Sequence, residues 1–136
     1  MATGILADAN IQWQVARLVT ELEAGEWAPI WIELGIEFTT FEALGLPTST
    51  PDRDLWRLCQ QRGLVLVTAN RNDDGPDSLA ATIRTEGVPD SLPVLTIGNI
   101  DRLMTSQEYA ERVILKLLEY LLDLDAYRGT GRLYLP

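Results

Sequence analysis

Two short apolar runs constrain this chain more than anything else in it. They are Gly4-Ile5-Leu6-Ala7 near the start and Leu64-Val65-Leu66-Val67 in the middle. Neither alternates polar with apolar, so neither offers a face to water. A strand buried on both faces belongs inside a parallel sheet with helices on each side. Both runs stop abruptly at polar residues. The first ends in Asp8-Ala9-Asn10, the second in Thr68-Ala69-Asn70-Arg71-Asn72-Asp73-Asp74. In an open parallel sheet, the carboxyl ends of the strands frame the crevice that takes ligands.

The rest of the chain punctuates this pattern. Further strands are expected over 36–41, where Ile36-Glu37-Phe38 begins a β-branched and aromatic stretch, and over 93–97. A last extended segment is expected over 132–135. Helices are expected at about 11–24, 27–34, 51–62, 77–86, 99–104 and 106–123. Asn10 is placed to cap the first of these, and Thr50 to cap the helix that Pro51 opens. Asp52 and Asp54 then fall in a first helical turn, where carboxylates suit the helix dipole. The stretch 42–51, with Gly45, Pro47, Thr48, Ser49, Thr50 and Pro51, reads as a loop, as does 70–77. Alternating strands and helices give an α/β class with a mostly parallel central sheet flanked by helices. The expectation is one domain spanning 1–136.

Composition narrows the chemistry. The 136 residues include no histidine, which removes imidazole acid–base catalysis, His-based triads and most zinc sites. Cys59 is alone, falls in a helix, and reads as a buried structural thiol. The net charge is −9, so the chain is not a generic nucleic-acid binder. Ten of its eleven basic residues are arginine, and Lys116 is the one lysine. Arginine favours planar, bidentate contacts with carboxylate or phosphate. No phosphate-binding glycine motif is present. No apolar run reaches the roughly 20 residues of a membrane span, and the early Asp8 interrupts any signal-peptide pattern. A cytoplasmic protein with no membrane partner is therefore expected.

What remains is acid chemistry with oxygen ligands. Mg²⁺ and Mn²⁺ are held by one or two carboxylates with water and substrate phosphate, and need no histidine. The acids at strand ends and helix starts are Asp8, Asp52, Asp54, Asp73, Asp74 and Asp77, with Asp101 a weaker candidate. Each has an ordinary structural explanation. Asp8 ends a strand, Asp52 and Asp54 complement a helix dipole, Asp73-Asp74-Gly75-Pro76 suits a turn, and Asp101 suits a local cap. Their joint placement around one crevice favours the functional reading.

The order of these motifs resembles the PIN-like nuclease superfamily, and more closely the short bacterial single-domain PIN-like proteins related to the Mut7-C group. The resemblance covers roughly residues 4 to 74. Asp8 matches the aspartate at the end of the first strand. Asp52 matches the aspartate that opens the helix before the central strand, with Asp54 the neighbouring alternative. Thr68 matches the threonine of a Thr-x-Asp-x-Asp segment, whose two aspartates are replaced here by Asn70 and Asn72. An amide offers a carbonyl oxygen without charge, so each replacement weakens divalent binding. Asp73 and Asp74 are candidate substitutes.

The resemblance implies a Mg²⁺- or Mn²⁺-dependent ribonuclease of the toxin-like kind. Its site would be Asp8, Asp52, Asn70 and Asp73, with Asp74 as a further metal ligand. Its implied partners are RNA, a small antitoxin-like protein and a second copy in a homodimer. Arg53, Arg57, Arg62 and Arg71 are candidates for a basic strip beside the site, though exposed ion pairs explain Arg53 and Arg57 more simply. The alternative function is a catalytically weakened PIN-like fold serving as a protein-interaction module. A phospho-acceptor reading with Asp8 ranks third, because Asp8 has no acidic neighbour and Lys116 lies in the long helix.

Overall fold

A computed structural model describes residues 2–71 and 75–136. The first apolar run forms β1 (Gly4–Ala7), and a 3-10 turn at Ala9–Ile11 leads into α1 (Gln12–Ala24). Next come α2 (Ala28–Leu34), β2 (Glu37–Thr39) and α3 (Phe41–Leu44). The middle of the chain is α4 (Asp52–Arg62), β3 (Leu64–Thr68), α5 (Leu79–Glu86) and β4 (Val94–Ile97). It finishes with α6 (Ile100–Thr105), α7 (Gln107–Leu122), a 3-10 turn at Leu124–Tyr127, and β5 (Arg132–Leu135).

Among the described residues the sheet has five strands in the order β2-β1-β3-β4-β5. Every pairing is parallel. The chain leaves β1 toward β2 on one side, then returns to β3 on the other. The β1/β3 boundary is therefore the topological switch point, where diverging connections open a crevice at the carboxyl ends. The register there is Leu6 beside Leu66 and Ala7 beside Val67. The result is a three-layer α/β architecture.

The period of two along each strand divides the core. Ile5, Ala7, Val65, Val67, Leu95, Ile97 and Leu135 join the larger cluster, built with residues of α1, α2, α6 and α7. Leu6, Leu64, Leu66 and Val94 join a smaller one with Phe41, Leu55, Trp56, Cys59 and Leu79. Continuing that second face toward the carboxyl ends leads from Leu6 to Asp8, from Leu66 to Thr68, and from Val94 to Thr96. Arg132 pairs with Val94 across the ladder and so shares this face. The smaller core thus ends in a row of polar groups, and Thr68 and Thr96 in it are fully buried.

Several local expectations need correction. The stretch expected as a loop from residue 42 instead contains most of α3, because the Thr40 hydroxyl accepts from Ala43 N–H (3.1 Å) and caps a short helix. That helix also cuts the second strand to Glu37–Thr39. Asn10 is not a cap. Asp8 takes that role for the 3-10 turn, with its carboxylate accepting from the Ala9 N–H. Thr50 does not cap α4, since its hydroxyl donates to Pro47 O (2.6 Å) and no side chain caps that helix. The helix expected from residue 77 begins at Leu79, because Ser78 is its cap, and Asp77 stays outside. Cys59 is buried as expected, and burial pushes its thiol up to about 12.

Candidate active site

Asp8 stands one residue beyond β1, half-buried, with both carboxylate oxygens held. Oδ1 accepts from the Ala9 N–H (2.7 Å) and Oδ2 accepts from the Thr68 hydroxyl (2.7 Å). The second bond crosses the switch point from β1 to β3. Thr68 Oγ1 in turn accepts from the Asn70 N–H (2.9 Å). The Asn70 side-chain Nδ2 donates to Asp52 Oδ2 (3.1 Å), reaching the first turn of α4. One chain of hydrogen bonds therefore runs Ala9, Asp8, Thr68, Asn70, Asp52. It joins the ends of β1 and β3 to the start of α4.

A cation enters from the far side of the sheet. Arg132, the first residue of β5, donates from Nη1 to Asn70 O (2.7 Å) and to Thr96 Oγ1 (2.8 Å). Its Nη2 is buried and has no hydrogen-bond partner among the described residues. Burial pulls the guanidinium below its usual pKa, and the charge of Arg71 adds to that pull. Tyr134 and Asp52 act in the opposite sense.

The structure thus gathers Asp8, Asp52, Asn70 and Thr68 in one place. Asn72, Asp73 and Asp74 lie outside the described residues. Asp54 is exposed on α4, and Asp101 is exposed in the first turn of α6, where Asn99 supplies the cap. Asp77 is exposed and pairs with Arg53 (3.3 Å). Arg53 also reaches Glu86 (3.4 Å) and donates to Pro76 O (2.8 Å). Arg57 grips Glu86 with two bonds of 2.7 and 2.9 Å. These arginines fasten α4 to α5 and do not form a free basic strip. Arg62 lies at the opposite pole, beside the amino end of β3. Arg71 stands at the carboxyl end of β3 and forms no ion pair among the described residues.

The sequence reading missed Arg132 and Thr96. A signal for them existed: both fall on the inward parity of their strands, where a polar residue needs a partner.

The donor set fits a divalent ion only in a restricted sense. Among the described residues, no three Asp, Glu, Cys or His side chains gather as a metal-holding group. Asp8 and Asp52, on either side of Asn70, are two carboxylates. Each oxygen that already accepts one hydrogen bond keeps a lone pair. Two carboxylates suit Mg²⁺ or Mn²⁺ that retains most of its water shell, not an all-protein cage.

Comparison with protein-family models, curated proteins and solved structures returned no match to this chain. Among the described residues, no helix is long and apolar enough to cross a membrane. The phospho-acceptor alternative gains nothing from the geometry, since the Lys116 ammonium is paired with Glu119 (3.2 Å) on α7.

Proposed function

We propose that this chain is a PIN-like protein that takes RNA at the crevice and hydrolyses it with Mg²⁺ or Mn²⁺. The observation that carries this reading is the hydrogen-bonded chain from Asp8 through Thr68 and Asn70 to Asp52. It brings residues 8, 52 and 70, which the resemblance names as site residues, together at the switch point. Asp8 and Asp52 would hold the ion. When bound, such an ion lowers the pKa of its water and stabilises the leaving oxygen of a phosphodiester.

The chain's own residues do the positioning. The Ala9 N–H and the Thr68 hydroxyl fix the rotation of the Asp8 carboxylate. The Asn70 amide fixes Asp52, and Arg132 pins the Asn70 carbonyl. Asp73 and Asp74, the further ligands implied by the resemblance, belong to this proposal too. So do a cytoplasmic setting, a homodimer and a small antitoxin-like partner.

The test is cleavage of an RNA substrate with Mn²⁺ by the wild-type protein and by Asp8→Asn. The wild type is expected to cleave and the variant to be inactive. Equal cleavage by both proteins removes the assignment.

One observation favours a second reading, that of an interaction module with little catalysis. Both oxygens of Asp8 and Oδ2 of Asp52 already accept from protein donors, and Asn70 brings an amide where a charge would strengthen an ion site. Calorimetric titration with Mn²⁺ separates the two. Binding that disappears in Asp8→Asn favours the nuclease, and no binding favours the module.

A further inference from the structure

Arg102 on α6 and Arg112 on α7 converge on one aromatic ring. Their guanidinium carbons lie 4.8 and 5.6 Å from the centre of the Tyr109 ring. A cation over an aromatic face is attracted by the ring quadrupole, which holds each guanidinium in place. The ring is itself fixed. Tyr109 is buried, and its hydroxyl accepts from the Asn99 N–H (2.9 Å). Asn99 stands two residues beyond Ile97, the last residue of β4, so the ring and the charges over it sit at the carboxyl pole of the sheet. The next strand over is β3, whose carboxyl end helps frame the crevice of Asp8 and Asp52.

Both arginines are exposed. Among the described residues, neither side chain donates a hydrogen bond or forms an ion pair. Acids that could pair with them are at hand: Asp101, Glu108 and Glu111 are close by in sequence and exposed. Glu108 stands one helical turn before Arg112, a spacing at which ion pairs form. Both guanidinium groups go to the tyrosine instead. Two like charges brought to one ring repel each other, and an anion relieves that repulsion. A guanidinium held over a ring keeps its N–H edge for an oxyanion.

We propose that Arg102 and Arg112, held on the ring of Tyr109, bind backbone phosphates of an RNA strand whose neighbouring segment lies in the crevice of Asp8 and Asp52. The assignment rests on the reading of the crevice as an RNA site, but it concerns binding and needs no hydrolysis. In a chain of net charge −9, a strand of phosphates needs a local positive patch, and this pair supplies one at the pole of the crevice. The contact is to the backbone, so it carries no base preference.

The test measures binding of a fluorescent single-stranded oligoribonucleotide to the full chain in EDTA, by anisotropy, across a series of salt concentrations. Arg102→Gln and Arg112→Gln are each expected to weaken binding about fivefold, whatever the base sequence, and to lower the slope of log affinity against log salt by about 0.7. Arg62→Gln, at the opposite pole, is the control and is expected to bind as the wild type does. Both arginines are exposed, and equal melting temperatures exclude unfolding as the cause of lost binding. Titration with inorganic phosphate, followed by NMR, separates the two sources of phosphate. Shifts at Arg102 and Arg112 together with RNA binding by the wild type support the patch. The same shifts without RNA binding assign the pair to a free phosphate and overturn the proposal. RNA binding that is unchanged in both variants overturns the patch and leaves the reading of the crevice untouched. RNA binding in EDTA that depends on both arginines, without cleavage in Mn²⁺, leaves the patch standing and retires the hydrolytic reading.

Discussion

At the scale of single residues, Asn70 decides the character of the site. Its amide donates to Asp52 where a carboxylate would repel it. Asn70→Asp puts a third acid into the crevice. The variant is expected to bind Mn²⁺ more tightly and, without metal, to melt at a lower temperature than wild type. Calorimetric titration and thermal melts in EDTA read the two effects. A variant with unchanged Mn²⁺ affinity would contradict a cation site between Asp8 and Asp52. Asp8 and Asn70 were legible in the sequence because each lies within two residues of the end of a buried strand. Arg132 was not. It is one arginine among ten, and its meaning depends on which strand lies beside β5, a fact no local pattern encodes.

At the scale of elements, the helix–strand junction between α4 and β3 is the sharpest local device. Gly63 has φ of +68° and returns its N–H to Cys59 O, which ends α4 and turns the chain into the central strand. An L-residue there is strained, so Gly63→Ala is expected to cost roughly 1–2 kcal/mol of stability. Urea unfolding measures it, with the midpoint falling and the slope unchanged.

Elements with strong periodicity or clear punctuation were readable: β1, β3, β4, α1, α4 and α7 fall close to their expected spans. The misplaced details share one cause. At Thr40, Ser78 and Asp8 one of several neighbouring polar side chains caps, while at Thr50 the hydroxyl turns back to Pro47 O and leaves α4 without a side-chain cap. Arg53 and Arg57 show the same limit. Their partner Glu86 is 29 residues from Arg57, on a helix whose placement the spacing alone does not give.

At the scale of the whole molecule, the smaller core seals Cys59, and burial lifts its thiol from 9.0 to about 12. The sign follows from proton linkage. Between pH 9 and 12 the unfolded chain releases this proton while the folded one keeps it. The stabilisation is complete below about pH 9 and is lost as pH rises toward 12. Cys59→Ser removes that titration, so the alkaline fall in stability is expected to become shallower in the variant. Denaturation midpoints from pH 8 to 11 check it.

The entirely parallel sheet has one more consequence. Parallel neighbours cannot be joined by a tight hairpin, so each pairing waits for a long crossover to fold. The contacts that build the crevice inherit this delay: Asp8 meets Thr68 across 60 positions, and Arg132 meets Asn70 across 62. The crevice is built from segments far apart in sequence, so its geometry depends on the completed sheet rather than on any one local stretch.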